Sequence, residues 1–188
     1  MYFECWSVLL NRTTGTGGVF IVLEFMERGS LDNLIWDNDG SLKWDTRLQL
    51  MEDVAEGMAY LHGVHRSIHR DLKTPNVLLG EEGNGVLRAK VADFGLSKEN
   101  VTDNDVKSFC GTPEYLAPEV IQRQQYGKAV DWWSFGTLLY EFITGLPPYY
   151  DRNRQDMYKK ILRAPLTFPG FVDDDARDLL TKLLQRNP

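Results

Sequence analysis

The residues of this chain that could carry out chemistry lie in three short motifs. They occupy residues 68–76, 92–95 and 117–119, and their sequences are Ile-His-Arg-Asp-Leu-Lys-Thr-Pro-Asn, Ala-Asp-Phe-Gly and Ala-Pro-Glu. The motifs supply carboxylate and carboxamide oxygens beside a lysine. Such groups suit phosphoryl transfer, which needs positioning and charge neutralisation, and magnesium binding, which needs hard oxygen ligands. A lone His-Arg-Asp or a lone Asp-Phe-Gly is usually a turn, but the order and spacing of the three motifs indicate one composite site.

In this order and at these spacings, the motifs resemble the catalytic loop, the metal-binding loop and the substrate-loop anchor of eukaryotic protein kinases. The resemblance extends from about residue 19 to the end of the chain. It implies that Asp71 orients a substrate hydroxyl and that Lys73 helps to neutralise the transferring phosphate. Asn76 and Asp93 are then the magnesium ligands. A lysine two residues after the aspartate fits the serine/threonine kinases. The catalytic residues that the resemblance implies are Asp71, Lys73 and Asn76.

The resemblance also implies a nucleotide site. Residues 24–26 match the hinge, whose backbone groups bind adenine in the family, while Leu23 falls at the gatekeeper position and Leu78 on the adenine floor. Ordinary core packing would account for both leucines as well. The implied cofactors are ATP and Mg²⁺, and the implied binding residues are Leu23, Glu24, Met26, Lys73, Asn76, Leu78 and Asp93.

The 21 residues between Gly95 and Ala117 match the activation segment of the family. The resemblance assigns five residues to its control: Arg70, Lys98, Ser108, Thr112 and Glu119. Ser108 stands where the related kinases carry an activating phosphate, which would bridge Arg70 and Lys98 through charge-assisted hydrogen bonds. In the alternative interpretation, Ser108 is an unmodified loop serine and Arg70 pairs with Asp103 or Asp105.

The kinase subgroup and the substrate sequence stay open. Residues 108–119, 131–136 and 145–149 resemble the kinases related to protein kinases A, G and C, whereas residues 23–31 and 71–79 look more like the tyrosine-kinase-like serine/threonine kinases. Arginine-directed members of the first group carry glutamates at two positions that hold Pro75 and Ser30 here. Only Glu141 matches a third acidic position, so a basic consensus substrate is not predicted.

Composition limits the partners and the compartment. A net charge of −6 argues against nucleic acid as the main partner. The only cysteines, Cys5 and Cys110, lack a metal-binding spacing, which favours an intracellular, cytoplasmic protein. The most apolar segment, residues 129–144, is too short to span a bilayer, and no membrane partner is expected. The implied partners are a protein substrate with a serine or threonine acceptor and an upstream activating kinase.

The resemblance implies an α+β, protein-kinase-like fold with a mainly helical large lobe, and the predicted elements are consistent with it. Two strands are expected at residues 5–10 and 19–23, and helices at residues 30–36, 45–62, 130–144, 156–162 and 174–184. A hairpin of residues 77–79 and 86–91 should bring Asn76 and Asp93 together. One apolar stripe is predicted to face the core from the second helix: Trp44, Leu48, Met51, Ala55 and Met58.

The sequence lacks two family features upstream of the hinge. The glycines of residues 14–18 are expected in a hairpin connection, because Phe20 stands where a phosphate-binding loop needs its third glycine, and no lysine precedes Lys43. We therefore expect a partial kinase domain, with residues 1–26 as a small-lobe remnant and hinge and residues 27–188 as the large lobe. The function classes are an ATP-dependent serine/threonine kinase, expected to be inactive as this isolated chain, and a non-catalytic kinase-like binding module.

Overall fold

The computed structural model describes residues 7–9, 20–37, 42–83, 85–102 and 106–187. Four short strands and six helices make up the described part of the chain, with single 3₁₀ turns at Thr74–Asn76, Phe94–Leu96 and Pro113–Tyr115. In chain order they are β1 (Ser7–Leu9), β2 (Phe20–Val22), α1 (Leu31–Asp37), α2 (Trp44–Gly63), β3 (Val77–Glu81), β4 (Leu87–Val91), α3 (Pro118–Ile121), α4 (Ala129–Thr144), α5 (Arg154–Arg163) and α6 (Asp174–Leu183). The predicted α+β class and the predicted helices are confirmed.

Each pair of strands forms its own antiparallel sheet. β1 pairs with β2, and β3 pairs with β4 in the register that places Val77 opposite Val91 and Glu81 opposite Leu87. The glycine-rich connection of residues 14–18 lies outside the described residues. Helix α2 packs on β4, where the buried Asp53 carboxylate lies 2.8 Å from the Arg88 guanidinium and accepts a 2.9 Å hydrogen bond from the Ala89 amide. This contact holds the hairpin that carries the predicted metal ligands.

The core of the described chain has two parts. The first lies between α2, α4 and the β3–β4 hairpin, with Val54, Met58, Leu72 and Leu138 fully buried. The second lies between the activation segment, α4 and α5, and contains residues 68, 101, 106, 116–117, 120, 126, 130, 133, 149, 157, 161 and 184. Among the described residues, none of the helices is both long and apolar enough to cross a membrane.

The predicted apolar stripe of α2 is wrong at its first turn. Met51 and Met58 are buried, but Trp44 is 57% exposed and Leu48 is 64% exposed. The position one turn before Met51 belongs to Arg47, whose Nη1 donates a 2.9 Å hydrogen bond to the Phe142 carbonyl and whose guanidinium stacks 5.2 Å from that ring. A cation with a long apolar stem thus replaces a leucine on the inward face.

Polar side chains begin the last two helices. Asn153 accepts hydrogen bonds from the amides of residues 155 and 156, so α5 begins two residues earlier than predicted. Asp173 accepts a 2.7 Å hydrogen bond from the Ala176 amide, which confirms the acidic start expected for α6. Gly145 ends α4 with φ of 87°, a left-handed conformation that favours glycine.

Candidate active site

A buried carboxylate on α4 holds the backbone of the 68–76 loop. Asp131 is fully buried, and its Oδ2 accepts hydrogen bonds of 2.8 Å from the His69 amide and from His62 Nε2. Its Oδ1 accepts a third, also of 2.8 Å, from the Arg70 amide. Three donors compensate the cost of burying the carboxylate. Sequence reasoning gave Asp131 no role, although a carboxylate inside an apolar helix was the signal for such a partner.

His69 connects this loop to the second motif, residues 92–95, which begins where β4 ends. The ring is buried, and Nε2 lies 3.0 Å from the Ala92 carbonyl, which makes Nε2 the donating nitrogen. The other nitrogen, Nδ1, then accepts the 3.3 Å hydrogen bond from the Asp71 amide. The ring also packs edge-on against Phe94. One side chain therefore sets the position of both motifs.

The predicted catalytic residues lie together. Lys73 Nζ is 3.0 Å from Asp71 Oδ2, and Asn76 Nδ2 donates hydrogen bonds to the Asp71 carbonyl at 2.8 Å and to Oδ2 at 3.3 Å. Thr112 closes the cluster, because its hydroxyl donates to Asp71 Oδ1 at 2.6 Å and accepts from Lys73 Nζ at 3.0 Å. The sequence placed Thr112 in the activation segment but did not predict this contact with Asp71.

The two predicted metal ligands stand at adjacent strand ends. The Ala92 amide donates a 2.8 Å hydrogen bond to the Asn76 carbonyl. Asp93 is the next residue in the chain, so its backbone lies close to that of Asn76. Asp93 is exposed, adopts the left-handed conformation with φ of 62° and accepts a 3.3 Å hydrogen bond from the Gly95 amide. A non-glycine residue in this region is strained, which is common at functional sites.

These two side chains fit a magnesium ion in their donor chemistry. The amide nitrogen of Asn76 donates to Asp71, so its oxygen is the atom left for a cation, and Asp93 adds a carboxylate. Within the described residues, no group of three or more histidine, cysteine, aspartate or glutamate side chains could hold a metal. Two oxygen ligands suffice for magnesium, which keeps water and substrate phosphates in its other positions.

The predicted hinge is tied to the β3–β4 hairpin. Glu24 forms an ion pair of 2.5 Å with Lys90, and the backbone of residues 28 and 29 exchanges hydrogen bonds with Leu79. Met26 packs so close to Gly80 that a Cβ there would lie 3.0 Å from its Cε. Leu78 is partly buried, whereas Leu23 is 53% exposed. Core packing therefore does not explain Leu23.

Arg70 contacts one of the other predicted regulatory residues, Ser108. Its Nη1 donates a 2.8 Å hydrogen bond to the Ser108 hydroxyl, while Nε and Nη2 donate to the carbonyls of residues 96 and 97. Lys98 pairs through its backbone with Ile68, and its side chain is exposed. The alternative partners of Arg70, Asp103 and Asp105, lie outside the described residues.

Another predicted regulatory residue, Glu119, is half-buried on α3. This burial raises the pKa of its carboxyl above the ordinary value.

A buried polar network that the sequence did not predict lies beneath the loop. Thr74 Oγ1 is 3.2 Å from the Tyr115 hydroxyl and 3.4 Å from Glu141 Oε2, and Tyr115 donates a short hydrogen bond to the same carboxylate. Burial raises the pKa of Glu141, although the hydrogen bonds from Tyr115 and Thr74 lower it. Burial and the neighbouring glutamate also raise the pKa of Tyr115, so its hydroxyl stays a donor.

A helical lobe whose hairpin and buried helix hold an Asp-Lys-Asn cluster is the architecture of a kinase large lobe. The chain matches the family described as the protein kinase domain over residues 8–188. It therefore belongs to the protein kinase family, and the resemblance drawn from the three motifs is confirmed.

Three relatives carry serine/threonine-protein kinase names. YPK2/YKR2 of Saccharomyces cerevisiae is 47% identical over 176 residues, covering 90% of this chain and 24% of that protein. Sgk1-B of Xenopus laevis is 42% identical over 173 residues, 92% of this chain and 38% of that protein. The RAC family homolog of Dictyostelium discoideum is 53% identical over 138 residues, 71% of this chain and 30% of that protein. The chain thus spans between 24% and 38% of these relatives' lengths.

Proposed function

We propose that this chain forms the catalytic-loop part of an ATP-dependent serine/threonine protein kinase. The observation that carries the proposal is the cluster of Asp71, Lys73 and Thr112, in which one carboxylate accepts from a hydroxyl at 2.6 Å and from an ammonium at 3.0 Å. A carboxylate held in this way can orient a substrate hydroxyl. The adjacent ammonium can neutralise charge on a transferred phosphate.

The proposal includes magnesium and ATP because the site has side chains that can bind them. Asn76 and Asp93 would hold Mg²⁺, and the residues of the hinge and the adenine floor, Leu23, Glu24, Met26 and Leu78, would contact the nucleotide. Bound Mg-ATP would supply the phosphoryl group and the charge neutralisation that its transfer requires. The chain's own work is positioning: Asp131 and His69 fix the loop backbone, and Asn76 fixes the carboxylate of Asp71.

The proposed substrate and regulation extend the same site. The substrate is a protein with a serine or threonine acceptor, and an upstream kinase phosphorylates Ser108, which already lies 2.8 Å from Arg70. The phosphate would add about −1.5 to −2 charges beside that guanidinium. We place the protein inside the cell, with residues 1–26 as small-lobe remnant and hinge and residues 27–188 as large lobe.

Asp71→Asn tests the proposed activity in the complete gene product. Purified protein is incubated with magnesium-ATP and a generic serine/threonine substrate, and phosphate transfer is measured. Asp71→Asn keeps the size of the side chain and removes the carboxylate, so the rate should fall about 10²- to 10⁴-fold. Asp156→Asn, at an exposed ion pair on α5, is the matched control and should leave the rate unchanged. Transfer that is absent from the wild type would favour a non-catalytic binding module, and transfer that survives Asp71→Asn would refute the role of Asp71.

A further inference from the structure

The Ser108 hydroxyl has a second strong partner besides Arg70. Tyr126 lies between α3 and α4, and its hydroxyl is 2.9 Å from Ser108 Oγ and 2.8 Å from the Ser108 carbonyl oxygen. A weaker contact joins Ser108 Oγ to Cys110 Sγ at 3.7 Å. The serine is therefore held at both its side chain and its backbone by one tyrosine.

The hydrogen atoms of this contact can be assigned from the donor inventory. The tyrosine hydroxyl has one proton, and its short distance to the Ser108 carbonyl directs that proton there. The Ser108 hydroxyl proton then completes the contact to the Tyr126 oxygen, while Arg70 Nη1 donates to Ser108 Oγ. The two hydroxyl protons are therefore each used once, and Arg70, Ser108 and Tyr126 form one connected network.

Tyr126 is itself rigidly placed. The residue is 2% exposed within the second core, and its backbone exchanges hydrogen bonds of 2.9 and 3.2 Å with Val106. Tyr126 is thus hydrogen-bonded to the activation segment at two places, to Val106 through its backbone and to Ser108 through its side chain. Burial raises the pKa of the Tyr126 phenol, which keeps the hydroxyl protonated and able to donate.

We propose that Tyr126 is a positioning residue of the activation segment, whose hydroxyl holds residue 108 against Arg70 and limits how readily that residue leaves the site. Opening the segment at Ser108 requires breaking the contacts to the tyrosine as well as the contact to the arginine. A phosphate on Ser108 would bring acceptor oxygens to the same place, and the Tyr126 proton would donate to one of them. The part that concerns phosphate rests on the proposed function, whereas the part that concerns the hydroxyl does not.

Amide hydrogen exchange of the purified protein tests the positioning role directly. In Tyr126→Phe the ring and the backbone bridge are kept and only the hydroxyl is lost. Peptides covering residues 106–112 should exchange about 3- to 10-fold faster than in the wild type, the effect expected from losing about one hydrogen bond. Tyr140→Phe removes another buried tyrosine hydroxyl, one that donates to the Thr167 carbonyl, and should leave those peptides unchanged.

Ser108→Ala tests the same contact by removing the serine hydroxyl. It removes the contacts of Ser108 Oγ to Tyr126 and to Arg70 but keeps the Ser108 carbonyl, so it should also speed exchange in residues 106–112. The double variant with Tyr126→Phe should exchange faster than either single variant but by less than the product of the two single effects, because the contact between the two hydroxyls is lost in both. Unchanged exchange in a folded Tyr126→Phe protein would overturn the proposal. Should that variant fail to fold, Tyr126→Leu, which also lacks the hydroxyl and keeps an apolar side chain in the second core, takes its place, and unchanged exchange in it would overturn the proposal equally.

A phosphatase assay extends the test to the phosphorylated protein. Protein phosphorylated on Ser108 should lose its phosphate several-fold faster in Tyr126→Phe than in the wild type or in Tyr140→Phe. Equal rates would overturn the protective role of Tyr126. An upstream kinase that never modifies Ser108 in the complete gene product would instead refute the regulatory part of the proposed function, and hydrogen exchange would still decide the role of Tyr126.

Discussion

At the scale of single residues, the site depends on carboxylates with different surroundings. Asp131 is fully buried and is matched by three donors, whereas Glu141 shares one carboxylate oxygen between Tyr115 and Thr74. Neither arrangement followed from the sequence. Each joins residues that are far apart along the chain, and a local pattern reports only the face of its own element. The three motifs were recognisable because their chemistry lies within a few consecutive residues.

The raised pKa of Glu141 predicts a pH-dependent stability. Burial makes this glutamate easier to protonate in the folded chain than at its ordinary value of 4.5. Above pH 4.5, the folded chain therefore binds more protons at this group than the unfolded chain does. The stabilisation that Glu141 provides is complete below pH 4.5 and is lost as pH rises through the pKa of the folded chain. Glu141→Gln keeps an acceptor oxygen but cannot titrate. The free energy of unfolding of the wild type, relative to this variant, should fall as pH rises from about 4 to about 7.

Urea unfolding at a series of pH values measures this difference. Glu52→Gln, on the exposed face of α2, controls for the loss of a glutamate. A wild-type stability that stays level with Glu141→Gln, or rises relative to it, across this range would contradict the expected sign.

At the scale of elements, the helices and the β3–β4 hairpin were predictable because each has a strong local signal. The hairpin has turn residues at its tip, and α6 begins at an acidic run. The predicted stripe of α2 was wrong at Trp44 and Leu48, because spacings of three and four fit more than one face of a long helix. Arg47 covers Phe142 on the inward side of its first turn, which leaves Leu48 in solvent. Which face is buried depends on the partner helix, and periodicity does not contain that information.

The packing of α4 on α6 predicts the effect of a single methyl group. At Gly136, an added Cβ would lie 2.9 Å from Leu183 Cβ and 3.1 Å from Leu184 Cδ2. Gly136→Ala gains up to about 1 kcal/mol in helix propensity but incurs about 1–3 kcal/mol of overpacking. The variant should therefore be less stable, by about 1 kcal/mol.

Gly63→Ala is the matched control for the helix-propensity gain. Gly63 ends α2, and an added Cβ there meets nothing within 4 Å, so this variant should be as stable as the wild type or more so. Chemical denaturation of both variants gives the comparison. A Gly136→Ala protein more stable than the wild type would show that α6 shifts without cost.

At the scale of the whole molecule, the described surface carries apolar side chains near the hinge. Leu23 is 53% exposed and Phe25 is 83% exposed, and both lie in the segment that directly follows β2. Exposed apolar surface of this kind favours association. The purified 188-residue chain should therefore form oligomers whose share rises with concentration, and Phe25→Ser should reduce them.

Sedimentation velocity over about a hundredfold range of concentration measures this association. Phe171→Ser removes another exposed phenylalanine, at a site next to α6, and should have little effect. A wild-type chain that stays monomeric over the whole range would contradict the prediction.

The three hydrogen bonds that Asp131 accepts from His62, His69 and Arg70 have a consequence for protein engineering. The backbone of the loop of residues 68–76 is held by a side chain that lies 62 positions after His69 in the sequence. Transplanting that loop into another scaffold would carry across its chemical groups without the anchor that arranges them. The smallest portable unit is therefore the loop together with α4, and a graft that omits the helix would inherit the motif but not its geometry.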